Sequence, residues 1–83
     1  MKQSDYLTLK AEYGELLDQL LGRISQKLWA GEPLVEVRKW IARRVGMLDN
    51  TPARQRLYDH CHRWAELVNA GIPKVTPAEQ IKL

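Results

Sequence analysis

The fold is decided by residues 33–52, which read PLVEVRKWIARRVGMLDNTP. Apolar residues recur in this stretch at intervals of three and four, the spacing of one helix face. Proline is favoured in the first turn of a helix, so Pro33 and Pro52 each mark a helix start, and the polar residues between 49 and 51 form a turn. We therefore predict a helix over residues 33–46 and a second one that starts at residue 52.

The same apolar spacing continues on both sides of this stretch. It predicts a first helix over residues 5–30, capped by Ser4 and stopped by Gly31, and a helix over residues 52–70 that ends at Gly71. The segment Thr76–Glu79 fits a capping box and predicts a short helix over residues 77–82. No segment shows the alternation of a strand. We expect an all-α fold, a three-helix bundle with a short fourth C-terminal helix, in a single domain of residues 1–83.

Composition limits the class of protein. The chain has 83 residues, of which 45% are hydrophobic and 28% charged, as in a soluble globular domain. One cysteine excludes an internal disulfide framework and favours a reducing compartment. The N-terminal residues do not read as a secretory signal, and no apolar run approaches the ~18–20 residues of a membrane span. We expect a cytoplasmic protein that does not enter a membrane.

The residues best suited to catalysis are adjacent on one predicted helix. His60, Cys61 and His62 follow one another, and neighbouring helical positions point in different directions. A cysteine nucleophile and its histidine must converge on one point, and a helical zinc pair needs histidines four residues apart. Cys61 instead falls on the apolar stripe of its helix. We expect no enzymatic activity, no metal and no cofactor.

Arginine dominates the charge of the middle of the chain. The net charge is +3, and basic side chains outnumber acidic ones by seven to four in residues 33–71. Trp40 and Met47 lie on one flank of the predicted second helix, and Arg44 follows Trp40 by the four residues that allow it to stack on the ring. Tryptophan, methionine and arginine are enriched at protein interfaces.

This flank predicts a small non-catalytic protein that binds an acidic protein partner. An inhibitor or regulatory accessory protein, such as those of mobile elements, fits this size, and the thin core also allows a homodimer. Of the other tryptophans, we expect Trp29 to be partly exposed and Trp64 to be in the core. The predicted partner-binding residues are Arg38, Lys39, Trp40, Arg43, Arg44 and Met47.

An alternative interpretation is DNA binding. Residues 41–47, IARRVGM, resemble the first helix and turn of a helix-turn-helix, with a small residue at Ala42 and glycine at Gly46. The resemblance implies that the following helix enters the major groove. The connection up to Pro52 is longer than the usual three- to four-residue turn, and Asp59 and Glu66 lie on the outer face of that helix. The nucleic-acid-binding residues of this alternative are Arg43, Thr51, Arg54, Gln55 and Arg56.

Overall fold

Proline and glycine set the limits of the helices. The structure is a computed structural model that describes residues 3–71, and it contains four helices, α1 Gln3–Tyr13, α2 Glu15–Trp29, α3 Leu34–Gly46 and α4 Pro52–Asn69. Pro33 and Thr51 are extended and precede α3 and α4. Gly31, with φ 93°, ends α2. Its N–H donates a hydrogen bond to the carbonyl of Leu28, and the N–H of Glu32 donates one to the carbonyl of Lys27. Within residues 3–71 no strand forms, and the expected small all-α bundle is confirmed.

The prediction of one helix over residues 5–30 is wrong, because the chain folds back at Gly14. This residue has φ 60° and ψ −137°, a conformation that essentially only glycine adopts. A straight helix of that length would measure about 39 Å, whereas the Cα trace spans 32 × 31 × 17 Å. The break lets Tyr6 and Leu9 of α1 reach the core, where both are buried. The helix predicted over residues 77–82 lies outside the described residues.

Helix α4 is the centre of the bundle and packs against the other three helices. Arg38 near the start of α3 pairs with Glu66 near the end of α4, while Arg54 near the start of α4 bonds the carbonyl of Gly46 at the end of α3. The two helices are therefore antiparallel. The core between the helices contains Tyr6, Leu9, Leu17, Leu20, Leu21, Ile24, Val37, Ile41, Val45, Leu57, Cys61, Trp64, Ala65 and Val68.

One polar contact crosses this core and joins α2 to α4. The Ser25 side chain is fully buried, accepts a hydrogen bond of 2.8 Å from Trp64 Nε1 and donates one of 3.1 Å to the carbonyl of Leu21. Buried polar groups need such partners, because an unpaired one loses its hydration without compensation. Ser25 therefore fixes the ring of Trp64 and with it the position of α2 on α4.

Candidate functional site

Helix α3 presents two different flanks on either side of its buried line. Val37, Ile41 and Val45 are buried and form a line along α3. Since successive residues are rotated by about 100°, Trp40 and Met47 lie on one side of this line and Val35 lies on the other. Met47 is 79% exposed and Val35 58% exposed, although both are apolar. The first flank meets α2 and the second continues onto α4.

The indole of Trp40 is partly buried and lies close to cations of two helices. It packs against the core. Lys27 Nζ of α2 lies 5.2 Å from the centre of its ring, and Arg44 Cζ lies 5.8 Å from it. Both distances are within the range of cation–π attraction, about 6 Å. The stacking of Arg44 on Trp40 that the sequence spacing allowed is present, and Lys27 adds a second cation that the spacing did not predict.

An open groove of about 490 Å³ runs along α2 beside Trp40. We call it the Trp40 groove; it is lined by Leu16, Asp18, Gln19, Leu20, Gly22, Arg23, Gln26, Trp40 and Arg44. Gly22 contributes no side chain to the groove, and the space beside it is open, since a Cβ atom there would have no heavy atom within 4 Å. Arg23 and Gly22 were not predicted from the sequence; the one signal for them was a glycine inside a helix, where it costs up to ~1 kcal/mol relative to alanine.

The cations around this groove differ in whether they have a carboxylate partner within the described part of the chain. Lys10 pairs with Asp18 and Glu15, and Lys27 pairs weakly with Glu32 at 3.7 Å. Two arginines that line the groove, Arg23 and Arg44, have no carboxylate partner among residues 3–71. Arg23 and Arg44 face the groove from α2 and α3. Within the described chain the groove therefore has an arginine without a carboxylate partner on each of its two sides, while its one lining carboxylate, Asp18, pairs with Lys10.

Of the six predicted partner-binding residues, Trp40 and Arg44 line the Trp40 groove, and Arg38, Lys39, Arg43 and Met47 lie outside its lining. Arg38 lies on the opposite flank of α3, where its guanidinium is 3.0 Å from a carboxylate oxygen of Glu66. Lys39 is exposed and lies 3.5 Å from Glu36 on the same helix. Trp40 and Arg44 share the groove, whereas Met47 is exposed just after the end of α3.

The residues of the DNA-binding alternative are divided between bonded and unpaired side chains. Arg54 donates hydrogen bonds to the carbonyls of Leu48 and Gly46, at 3.0 and 3.5 Å, and to Asn50 Oδ1 at 3.1 Å. These bonds satisfy carbonyls at the end of α3. Gln55 donates to Asp59 at 3.1 Å. The other three residues of this alternative, Arg43, Thr51 and Arg56, are exposed.

The histidines and the cysteine of α4 lie in different surroundings and do not form one site. Cys61 is in the core, and burial raises the pKa of its thiol to about 12, so it stays protonated. Burial also lowers the pKa of His60 and His62. In the described chain neither Nε2 atom has a hydrogen-bond partner. Within residues 3–71 no group of three or more histidine, cysteine, aspartate or glutamate side chains is arranged to hold a metal ion.

Within residues 3–71 no helix is both long enough and apolar enough to cross a bilayer. Comparison of the chain with protein-family models, with curated proteins and with solved structures gave no significant match.

Proposed function

We propose that this protein binds an acidic protein partner, and that the partner docks in the Trp40 groove. In this proposal the chain carries out no chemistry and acts by covering or bridging a surface of its partner, as an inhibitor or regulatory accessory protein does. The observation that carries the proposal is the indole of Trp40, which lies within cation–π distance of both Lys27 and Arg44 and lines an open groove.

The packing of Trp40 supports its role as the anchor of an interface. Its ring is partly buried against the core and lies close to two cations, so little side-chain freedom is left to lose on binding. Ordering a mobile side chain costs about 0.5–1.5 kcal/mol, and a preorganised ring avoids much of this cost. Large aromatic side chains in partly enclosed pockets are the commonest hot spots of protein interfaces.

The unpaired arginines support an acidic partner. Arg23 and Arg44 lie on the two sides of the groove, and each guanidinium can donate two parallel hydrogen bonds to one carboxylate. Because no carboxylate of residues 3–71 neutralises them, binding of an acidic partner breaks no existing ion pair. Charge attraction of this kind chiefly raises the association rate and is weakened by salt.

The proposal is tested with a synthetic amphipathic peptide of glutamate and leucine, and with a control peptide in which lysine replaces glutamate. We expect the acidic peptide to bind and the basic one to fail. Trp40→Ala should weaken binding at least about tenfold, and Arg23→Glu together with Arg44→Glu should abolish it. The matched controls are Trp29→Ala and Arg56→Glu, which change an exposed tryptophan and an unpaired arginine outside the groove.

Duplex DNA serves as the competing ligand in the same titration. The proposal is contradicted if the acidic peptide fails to bind the folded wild-type protein, or if Trp40→Ala and Trp29→Ala have equal effects. Binding of duplex DNA with a steep decrease in affinity as salt rises would instead favour the helix-turn-helix alternative, because such a slope measures released phosphate counterions.

A further inference from the structure

The second flank of α3 forms an exposed patch with the neighbouring part of α4. A shallow depression of about 530 Å³ lies there. We call it the Val35 face; it is lined by Val35, Arg38, Lys39, Ala42, Tyr58, His62 and Glu66. Val35 is 58% exposed and Ala42 is exposed, and the rings of Tyr58 and His62 line the same depression, in contact at a tilt of 60° with their centres 4.3 Å apart. The centre of the face is therefore apolar or aromatic.

The charges of this face cancel, unlike those of the Trp40 groove. Arg38 pairs with Glu66 at 3.0 Å across the two helices, and Lys39 pairs with Glu36 at 3.5 Å. All four side chains of these two pairs are largely exposed. Both signs are thus present at the rim of an apolar centre, which is the arrangement that a two-fold symmetric interface needs in order to complement itself.

We propose that the Val35 face binds a second copy of this chain. A chain with a net charge of +3 cannot bring its unpaired arginines together without repulsion, so the Trp40 groove is unsuited to self-association. On the Val35 face, two-fold symmetry lets Arg38 of one copy approach Glu66 of the other, and it places one Val35 side chain near its equivalent. Burial of these apolar groups then stabilises the pair.

The shape of the molecule favours such a pairing. The Cα trace is only 17 Å thick in its smallest dimension, against 32 and 31 Å in the other two. A flat bundle exposes much surface for its volume, and a thin core gains stability from association. Because the two flanks of α3 are separate, the dimer leaves both Trp40 grooves open, and each dimer can bind two acidic segments.

Sedimentation equilibrium over the micromolar to high micromolar range tests the proposal. We expect the wild-type protein to be a reversible dimer. Val35→Glu should raise the dimer Kd at least about tenfold. This variant should fold, since Val35 is exposed and lies in the first turn of α3, where a negative charge is favourable. Leu7→Glu is the control: Leu7 is 52% exposed on α1, and its substitution should leave the Kd unchanged.

A charge exchange tests the predicted rim. Arg38→Glu should weaken the dimer, and the double variant Arg38→Glu with Glu66→Arg should restore it, because each copy again offers both signs. A wild-type protein that stays monomeric throughout, equal effects of Val35→Glu and Leu7→Glu, or a double variant that stays as weak as the single one would overturn the proposal. Trp40→Ala should leave the dimer intact, which separates this result from the test of partner binding.

Discussion

At the scale of single residues, Ser25 is the buried polar side chain on which the packing of α2 against α4 depends. Ser25→Ala removes the acceptor of the Trp64 indole N–H, which is inaccessible to water. We expect the free energy of unfolding to fall by about 1–3 kcal/mol, the cost of an unsatisfied buried donor.

Chemical denaturation measures this change, with Thr51→Ala as the control. Thr51 precedes α4, is exposed and makes no side-chain capping bond. Both variants remove a hydroxyl group, and only one leaves a buried donor without a partner. Equal stabilities of the two variants would show that the bond between Ser25 and Trp64 contributes nothing.

His60 makes the stability of the bundle depend on pH. The side chain is 4% exposed, and burial lowers its pKa from the ordinary 6.5. The charge of Asp5 on α1 raises the pKa in part, whereas the charge of Arg63 on α4 lowers it further. The unfolded chain therefore binds a proton more readily than the folded one. The free energy of unfolding should decrease as the pH falls below about 6.5, by at most about 1.4 kcal/mol per pH unit for this histidine.

Denaturation at a series of pH values checks this prediction in the wild type and in His60→Gln. The glutamine variant should show a shallower dependence on pH, because one titrating group is absent from both states. His62, whose pKa is also lowered, remains in both proteins and gives the residual slope. An unchanged slope in His60→Gln would exclude His60 as a source of the pH dependence.

At the scale of the helices, Gly14 determines that the N-terminal segment forms two helices. Gly14→Ala places a Cβ atom on a residue with φ 60°, where the surroundings have room for it but the backbone does not favour it. We expect a loss of about 1–3 kcal/mol in the free energy of unfolding, from backbone strain alone.

The matched control is Gly22→Ala, in the interior of α2. A Cβ atom at Gly22 would have no heavy atom within 4 Å, and the residue lacks a positive φ, so alanine should stabilise the protein by up to ~1 kcal/mol. Denaturant unfolding compares the two variants. If both stabilise the protein to the same extent, the turn at Gly14 is not required by the fold.

The helices show what periodicity predicts and what it does not. It predicted α3 and α4 nearly in full, because Pro33 and Pro52 fix their starts locally. It joined α1 and α2 because apolar residues keep the same spacing on both sides of Gly14. Gly14 permits the turn, and contacts between α1 and α2 that spacing does not reveal accompany it, such as the hydrogen bond that Tyr6 donates to Asp18. Burial, and after it this bond, raises the pKa of Tyr6 to about 12.

The candidate site was predicted on one helix and missed on the other. Spacing places Trp40 and Arg44 on one flank of α3, but it does not say which helix lies beside that flank. The packing of α2 against α3 adds three residues to the site that spacing did not predict, Gly22, Arg23 and Lys27. In the same way, spacing did not predict that Arg38 pairs with Glu66 of α4 or that Arg54 bonds the end of α3.

At the scale of the whole molecule, charge distinguishes two sides of the surface. The Trp40 groove is lined by two arginines without carboxylate partners among residues 3–71, while the Val35 face is balanced by its own ion pairs. This difference in charge is the reason why we propose an acidic partner for the first side and a second copy of the chain for the other.

The most direct measurement of the central claim is a two-dimensional ¹H–¹⁵N spectrum during titration with the acidic peptide. The three tryptophans of the chain give three separate indole signals. We predict that the Trp40 indole signal and the backbone amide of Gly22 shift, while the signals of Trp29, outside the groove, and of Trp64, bonded to Ser25 in the core, stay in place. Shifts confined to Trp29, or a Trp40 signal that stays in place at saturating peptide, would contradict the account.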